Sequence, residues 1–96
     1  MKKRASRRQP ADWAVYIARC RDGSLYTGVA KDVAARLAKH NAGKGAAYTR
    51  SRRPVALLYS ELALTRSEAL RREAGIKALP RPRKEALAGG GDFRPS

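Results

Sequence analysis

The chain has 96 residues, with 22 Lys plus Arg against eight Asp plus Glu and a formal net charge of +14. That length supplies one domain with one compact site, and the charge creates a field that draws in polyanions, nucleic acid ahead of anionic lipid. A single cysteine, Cys20, excludes an internal disulfide and the thiolate clusters of structural zinc sites, and no apolar run approaches membrane-spanning length, so the expectation is a soluble, cytoplasmic partner of DNA or RNA and not of a membrane.

Residues 1–12 carry five basic side chains, one acid at Asp12 and little to bury, which predicts a mobile basic arm. The folded domain is expected over 13–88. Residues 89–96, glycine-rich and without periodicity, are expected to form a flexible tail.

Trp13 to Cys20 and Leu25 to Ala30 are rich in β-branched and aromatic residues, and Arg21-Asp22-Gly23-Ser24 between them signals a hairpin. A three-residue loop with Gly23 left-handed sets Cys20 against Ser24 and Gly28 against Tyr16. Trp13, Val15, Ile17, Leu25, Thr27 and Val29 then form a packed face. Ala14, Tyr16, Ala18, Tyr26, Gly28 and Ala30 form a shallow face of small residues bearing two tyrosines. A two-residue Asp-Gly turn would instead put the tyrosines on opposite faces.

Asp32 can cap a helix from Val33 to about Asn41, with Val33 and Leu37 on its buried stripe and Arg36 and His40 four apart on its flank. Residues 42–53 mix glycine, lysine and arginine with Tyr48 and read as an exposed basic loop. Pro54 starts a third strand, Val55 to Ser60. Thr65 with Glu68 three residues on is a capping box, opening a helix to about Leu79 that Pro80 and Pro82 end; a short helix from Arg83 to Ala88 follows. The order ββαβαα predicts an α/β domain of α+β type, a three-stranded antiparallel sheet flanked by helices.

On the helix from residue 65, Glu68 is explained by the capping box. Glu73 is not: its neighbours at three and four residues are Ala69, Leu70, Ile76 and Lys77, a mostly apolar stripe that faces the sheet. A carboxylate there needs a partner, either Lys77 in a helical ion pair or a hydrated cation such as Mg²⁺, which takes few protein ligands. Arg36 is a solvated helix charge or a planar donor fork for phosphate. His40, the only histidine, is a proton-transfer group or a polar residue on a solvated helix edge. Asn41, Tyr48 and Thr49 are candidates to touch nucleic acid, Tyr48 by stacking. Lys39, Lys44, Arg50, Arg52 and Arg53 are candidates for backbone phosphate contacts.

In their order and spacing these elements resemble the GIY-YIG nuclease family, specifically its small single-domain bacterial members. Val15-Tyr16-Ile17 stands at the first triplet and Tyr26-Thr27-Gly28 at the second. The helix bearing Arg36 and His40 follows, and Ala69-Leu70-Arg71-Arg72-Glu73 is similar to the segment that ends in the family's catalytic glutamate. The resemblance implies a catalytic set of Tyr16, Tyr26, Arg36, His40 and Glu73, with Gly28 structural at the site. It further implies one divalent ion, Mg²⁺ or Mn²⁺, on Glu73, and hydrolysis of a phosphodiester in DNA ahead of RNA, structure-specific cutting in repair or recombination being the associated role. Tyr16 is expected as the base, its phenol lowered by Arg36, the metal and the field, and Tyr26 as its orienter, with an exchange of roles open. Two competing expectations remain: a noncatalytic binding module with Glu73 paired to Lys77, and a basic ribosome-associated protein.

Overall fold

The computed structural model describes residues 13–89, so the arm expected over 1–12 and the tail beyond Gly89 lie outside the described residues. The elements are β1 (Trp13–Arg19), β2 (Leu25–Ala30), α1 (Val33–Asn41), α2 (Ala47–Arg50), β3 (Ala56–Ala63), α3 (Arg66–Lys77) and α4 (Arg81–Leu87). The sheet is antiparallel throughout, ordered β2-β1-β3.

The hairpin turn sets everything downstream. Gly23 sits at φ 86°, a left-handed conformation that costs a glycine nothing. Cys20 N–H donates to Ser24 O at 2.8 Å and Gly23 N–H to Cys20 O at 2.9 Å. This three-residue loop fixes Tyr16 opposite Gly28, and both tyrosines therefore share one face.

The two faces of the sheet are packed against different partners. On one, Val15 and Ile17 join Ala69 and Ile76 of α3, with Trp13, Leu25, Val29 and Leu87 around them. On the other, Tyr16, Ala18, Cys20 and Ala30 join Val55, while Val33 and Leu37 of α1 close over them with Tyr26. The tyrosine face is thus a second core and not the shallow open surface that its small side chains suggest. Those small residues admit α1 close to the strands. Burying one Val or Ile completely is worth about 1.5–3 kcal/mol, and Val15, Ile17 and Ile76 are each fully buried.

Three elements depart from the sequence-based expectation. β3 runs on to Ala63 because Glu61, Leu62 and Ala63 pair with Val15, Ala14 and Trp13, and an available ladder outweighs their weak strand propensity. α4 begins at Arg81 with Pro82 inside its first turn, where a missing N–H costs no helical bond. The basic loop is not open either: it contains α2, whose Thr49 is fully buried.

α3 is the element whose rotation about its axis matters most for function. Thr65 Oγ1 accepts from Glu68 N–H at 3.0 Å, and Glu68 Oε1 accepts from Leu64 N–H at 3.1 Å, so the capping pair is spent on the helix start. Ala69 and Ile76 then seat the helix on the sheet. Arg72 reaches Glu61 of β3 through two N–H groups at 2.7 and 3.2 Å, a planar fork on one carboxylate. With residues 69, 72 and 76 held, the direction in which Glu73 projects is fixed.

Candidate active site

β2 is an edge strand, so its outer rim lies open between the helices on the two faces. A pocket of about 340 Å³ occupies that rim, and Tyr26, Gly28, Arg36 and Glu73 line it together with Trp13 and Arg66. Residues from β2, α1 and α3, far apart in sequence, thus meet around one space of nucleotide size. Arg36 is anchored by an N–H from Nη1 to Val29 O at 3.2 Å and also bonds the Tyr16 phenol, which leaves further donors of its fork for the pocket.

Tyr16 lies behind Gly28 rather than on the wall. It has no exposed surface, and a Cβ built on Gly28 would stand 2.6 Å from its phenol oxygen. Only glycine fits there. The phenol oxygen is 2.8 Å from Nε2 of His40. His40 Nδ1 is in turn 2.8 Å from Thr49 Oγ1, whose hydroxyl donates to Ala46 O at 3.0 Å. His40 is only 2% exposed, so it does not sit on a solvated helix edge; α1 turns it inward beneath α2. The ring of Tyr26 meets the imidazole edge-on, centroids 5.2 Å apart, and Tyr48 stacks on Tyr26 at 6.0 Å.

Burial pushes the Tyr16 phenol up to about 12, the nearby Tyr26 adds to the rise, and the Arg36 guanidinium pulls the other way without winning. In the metal-free chain, desolvation in a closed site outweighs the one cation, so Arg36 alone does not bring this phenol down. His40 is shifted below its ordinary value, first by burial and then by the Arg36 charge. The pair is neutral near pH 7.

Glu73 carries the features of both its expected partners. Its carboxylate is 3.4 Å from Lys77 Nζ and its side chain is 20% exposed, on the wall of the pocket. Among the described residues no three His, Cys, Asp or Glu cluster to form a closed metal cage. One carboxylate beside an open pocket fits a hard, hydrated ion that keeps most of its waters or takes phosphate oxygens, and Glu73 would be the residue to hold it.

The basic segment divides between structure and surface. Asn41 clamps Val55 at both backbone atoms, N–H to Oδ1 at 2.7 Å and Nδ2–H to O at 3.0 Å. Arg52 pairs with Asp22 at 3.1 Å, bonds Tyr48 O at 2.7 Å and lies 3.9 Å over the Tyr48 ring. Arg53 bonds the carbonyls of Arg50 and Asn41. These groups and the buried Thr49 hold α2 against the hairpin and α1. Lys39, Lys44 and Arg50 are exposed, Lys39 beside a pocket of about 480 Å³ that shares Trp13 and Arg36 with the first, and Arg50 beside Arg21 in a third of about 420 Å³.

Two contributions escape the sequence reading, that of Gly45 and the inward orientation of Thr49. A Cβ on Gly45 would collide with His40 Nδ1, so this glycine lets the chain pass over the imidazole. The run Gly43, Gly45, Ala46, Ala47 after the only histidine was the available signal, since small residues in succession mark close backbone approach.

A family model of the GIY-YIG catalytic domain matches residues 12–86. A UPF0213 protein of Staphylococcus epidermidis is 63% identical over 70 residues, 73% of this chain and 85% of that one. A UPF0213 protein of Staphylococcus aureus is 61% identical over 73 residues, covering 76% and 89%. Among solved structures, the solution NMR structure of a UPF0213 protein from Bacillus halodurans shares 45% identity at a TM-score of 0.52, covering 80% of this chain and 82% of that one. A second NMR structure, of a protein from E. faecalis, shares 36% identity at a TM-score of 0.55, covering 86% and 92%.

Proposed function

The chain belongs to the GIY-YIG family, whose domain implies a nuclease-type activity on nucleic acid, and from that premise we propose a divalent-metal-dependent endonuclease that hydrolyses phosphodiester bonds in DNA. The supporting observation is the convergence of Tyr26, Gly28, Arg36 and Glu73 on one pocket, with the Tyr16–His40 pair directly behind the glycine.

Each residue has a task that its surroundings suit. Arg36 offers a permanently charged donor fork to a nonbridging phosphate oxygen, whose charge grows toward the transition state. Glu73 would hold Mg²⁺ or Mn²⁺, and such an ion, when bound, neutralises phosphate charge as a Lewis acid. Tyr16 has committed its hydrogen to His40, and with the Arg36 guanidinium bonding its oxygen it keeps one lone pair for the nucleophile. With a pKa near 12 it works as a neutral link and not as a standing phenolate. A proton passes from the attacking water to the Tyr16 oxygen while the Tyr16 proton moves to His40 Nε2. The water oxygen bonds to phosphorus, the bond to the 3′ oxygen breaks, and that oxygen takes a proton from solvent. Because Tyr16 is sealed in the free protein, opening on the Gly28 side belongs to this scheme. Tyr26, on the pocket wall, orients the water. Lys39, Lys44 and Arg50 supply phosphate contacts that position the strand, and a role in repair or recombination, with substrates of particular shape, is the associated biology.

The Glu73–Lys77 ion pair favours one competing scheme, a noncatalytic nucleic-acid-binding module. Incubating the protein with single-stranded, duplex, flap and junction DNA and with RNA, with and without Mg²⁺ or Mn²⁺, separates the two. Metal-dependent cutting is expected, with Glu73→Gln at least a thousandfold slower and its binding retained. Binding without cutting under every metal condition supports the module.

A further inference from the structure

The two nitrogens of His40 meet different chemistry, and that difference assigns a proton. Thr49 Oγ1 has one hydrogen, and it lies on the bond to Ala46 O at 3.0 Å, because a carbonyl can only accept. The same oxygen is 2.8 Å from His40 Nδ1, so it accepts there and Nδ1 carries the ring hydrogen. A neutral imidazole has one N–H, which leaves Nε2 as the bare acceptor facing the Tyr16 hydroxyl at 2.8 Å. The chain of donors therefore runs in a single direction, from Tyr16 to His40, from His40 to Thr49, and from Thr49 to Ala46.

We propose that Thr49 is a positioning residue for phosphodiester cleavage: its hydroxyl, anchored on the Ala46 carbonyl, locks His40 in the Nδ1–H form so that Nε2 can take the Tyr16 proton. The catalytic consequence rests on the nuclease function above; the lock is a property of the folded chain alone. With the Thr49 hydroxyl on Ala46 O, the opposite tautomer would set an Nδ1 lone pair against the Thr49 oxygen. It would also point an Nε2 hydrogen at the Tyr16 oxygen and close the proton path. A group that fixes the tautomer of a catalytic histidine from behind is a recurrent device.

Burial and packing carry the same conclusion. Thr49 has no exposed surface, so its hydroxyl is not available to nucleic acid, the contact its place in a basic loop suggests. Gly45 brings the segment ahead of α2 onto Nδ1, where a side chain of any size would push it off. The groups facing the imidazole are Tyr16 from β1, the Tyr26 edge from β2, the Arg36 charge from α1 and the Thr49 hydroxyl from α2. No carboxylate is among these described groups, and Thr49 is the acceptor placed at Nδ1.

His40 is the only histidine, so ¹⁵N labelling of histidine in the full chain gives imidazole NMR signals that need no assignment. The wild type at pH 7.5 is expected to carry its hydrogen on Nδ1. Thr49→Val, which keeps the shape and removes the acceptor, is expected to populate the Nε2–H form and to slow Mg²⁺-dependent DNA cleavage about a hundredfold or more. Thr49→Ser should restore both. A wild-type spectrum with the hydrogen on Nε2 overturns the proposal and needs no variant, so a Thr49→Val chain that fails to fold does not protect it. Cleavage at the full rate despite a shifted tautomer also overturns it and leaves the nuclease function intact. A shifted tautomer in a chain whose wild type cuts no nucleic acid overturns the nuclease function and the catalytic consequence together, and leaves the lock standing.

Discussion

The two faces of the sheet are built from the same strands and do opposite work. Toward α3, Val15, Ile17, Ala69 and Ile76 make an apolar contact, with Tyr59 among the side chains packed around it. Toward α1, the strands bury a phenol, an imidazole and a threonine hydroxyl joined end to end. Hydrocarbon packing is indifferent to small rotations of its members, whereas each polar group on the α1 side is costly to bury unless its partner is in place. One side therefore supplies stability that repacking would tolerate. The other supplies a geometry that tolerates almost nothing, and Gly28 and Gly45 are where that intolerance is visible.

The sharpest way to break this contrast is to delete one oxygen from the polar side. Tyr16→Phe keeps the ring and its packing but strands the His40 Nε2 without a donor, which costs about 1–3 kcal/mol of stability. Cleavage should fall about 10²- to 10⁴-fold, the range of a lost general acid–base group. Thermal melts and metal-dependent cleavage on the same preparation measure both. Tyr26→Phe, which touches the pocket and not the buried chain of bonds, should cost cleavage less. If Tyr26→Phe is the more damaging variant, the two phenols exchange roles.

The matching change on the apolar side is Ile76→Ala, which removes a fully buried side chain under α3. A large-to-small change of this kind costs about 2–5 kcal/mol, a large part of the 5–15 kcal/mol typical of a native domain. Cleavage per folded molecule should stay near the wild-type value, because Ala69 and the Arg72–Glu61 fork still fix the direction of Glu73. Urea titration gives the stability, and activity normalised to the folded fraction gives the rate. A per-molecule rate that falls with stability would mean that Ile76 itself orients the carboxylate.

Much of the apolar side was legible in the sequence and much of the polar side was not, for a physical reason. Alternation over two strands and the Gly23 turn predict the register, and register alone divides Val15 and Ile17 from Tyr16 and Tyr26. Capping residues Asp32 and Thr65 mark two helix starts to the residue. These are local rules that act within a few positions. The depth of His40, by contrast, depends on α2, which is too short to show a periodicity and which is held by contacts from residues far away: Asp22 to Arg52 and Asn41 to Val55. A basic, glycine-rich segment reads as solvated loop until those ties are known. The same blindness hid that Thr49 is buried and that Asn41, Arg52 and Arg53 also spend polar atoms on bonds within the fold.

The smallest expected effect is in pH dependence, and it separates the two sides without relying on catalysis. His40 is shifted down in the folded chain by burial and by Arg36. As pH falls below about 6.5, the ordinary value, the unfolded chain binds a proton that the folded chain refuses. Stability is therefore full above that pH and declines as pH drops through the depressed folded value. Tyr16 is raised to about 12, so its contribution is complete below the ordinary phenol value near 10 and is lost as pH climbs from there to about 12. Acid and alkaline limbs should both appear in urea titrations of the wild type. Tyr16→Phe should shrink the alkaline limb to the part that Tyr59, also raised by burial, contributes, and His40→Gln should remove the part of the acid limb nearest the ordinary histidine value, leaving that of Glu61 and Asp22, both held below the usual carboxylate range. Ile76→Ala should lower the whole curve with both limbs kept, because Tyr59, which is packed on that face, keeps its bond to Glu61; an Ile76→Ala curve whose His40 limb changed shape would mean that the two faces are coupled through β1.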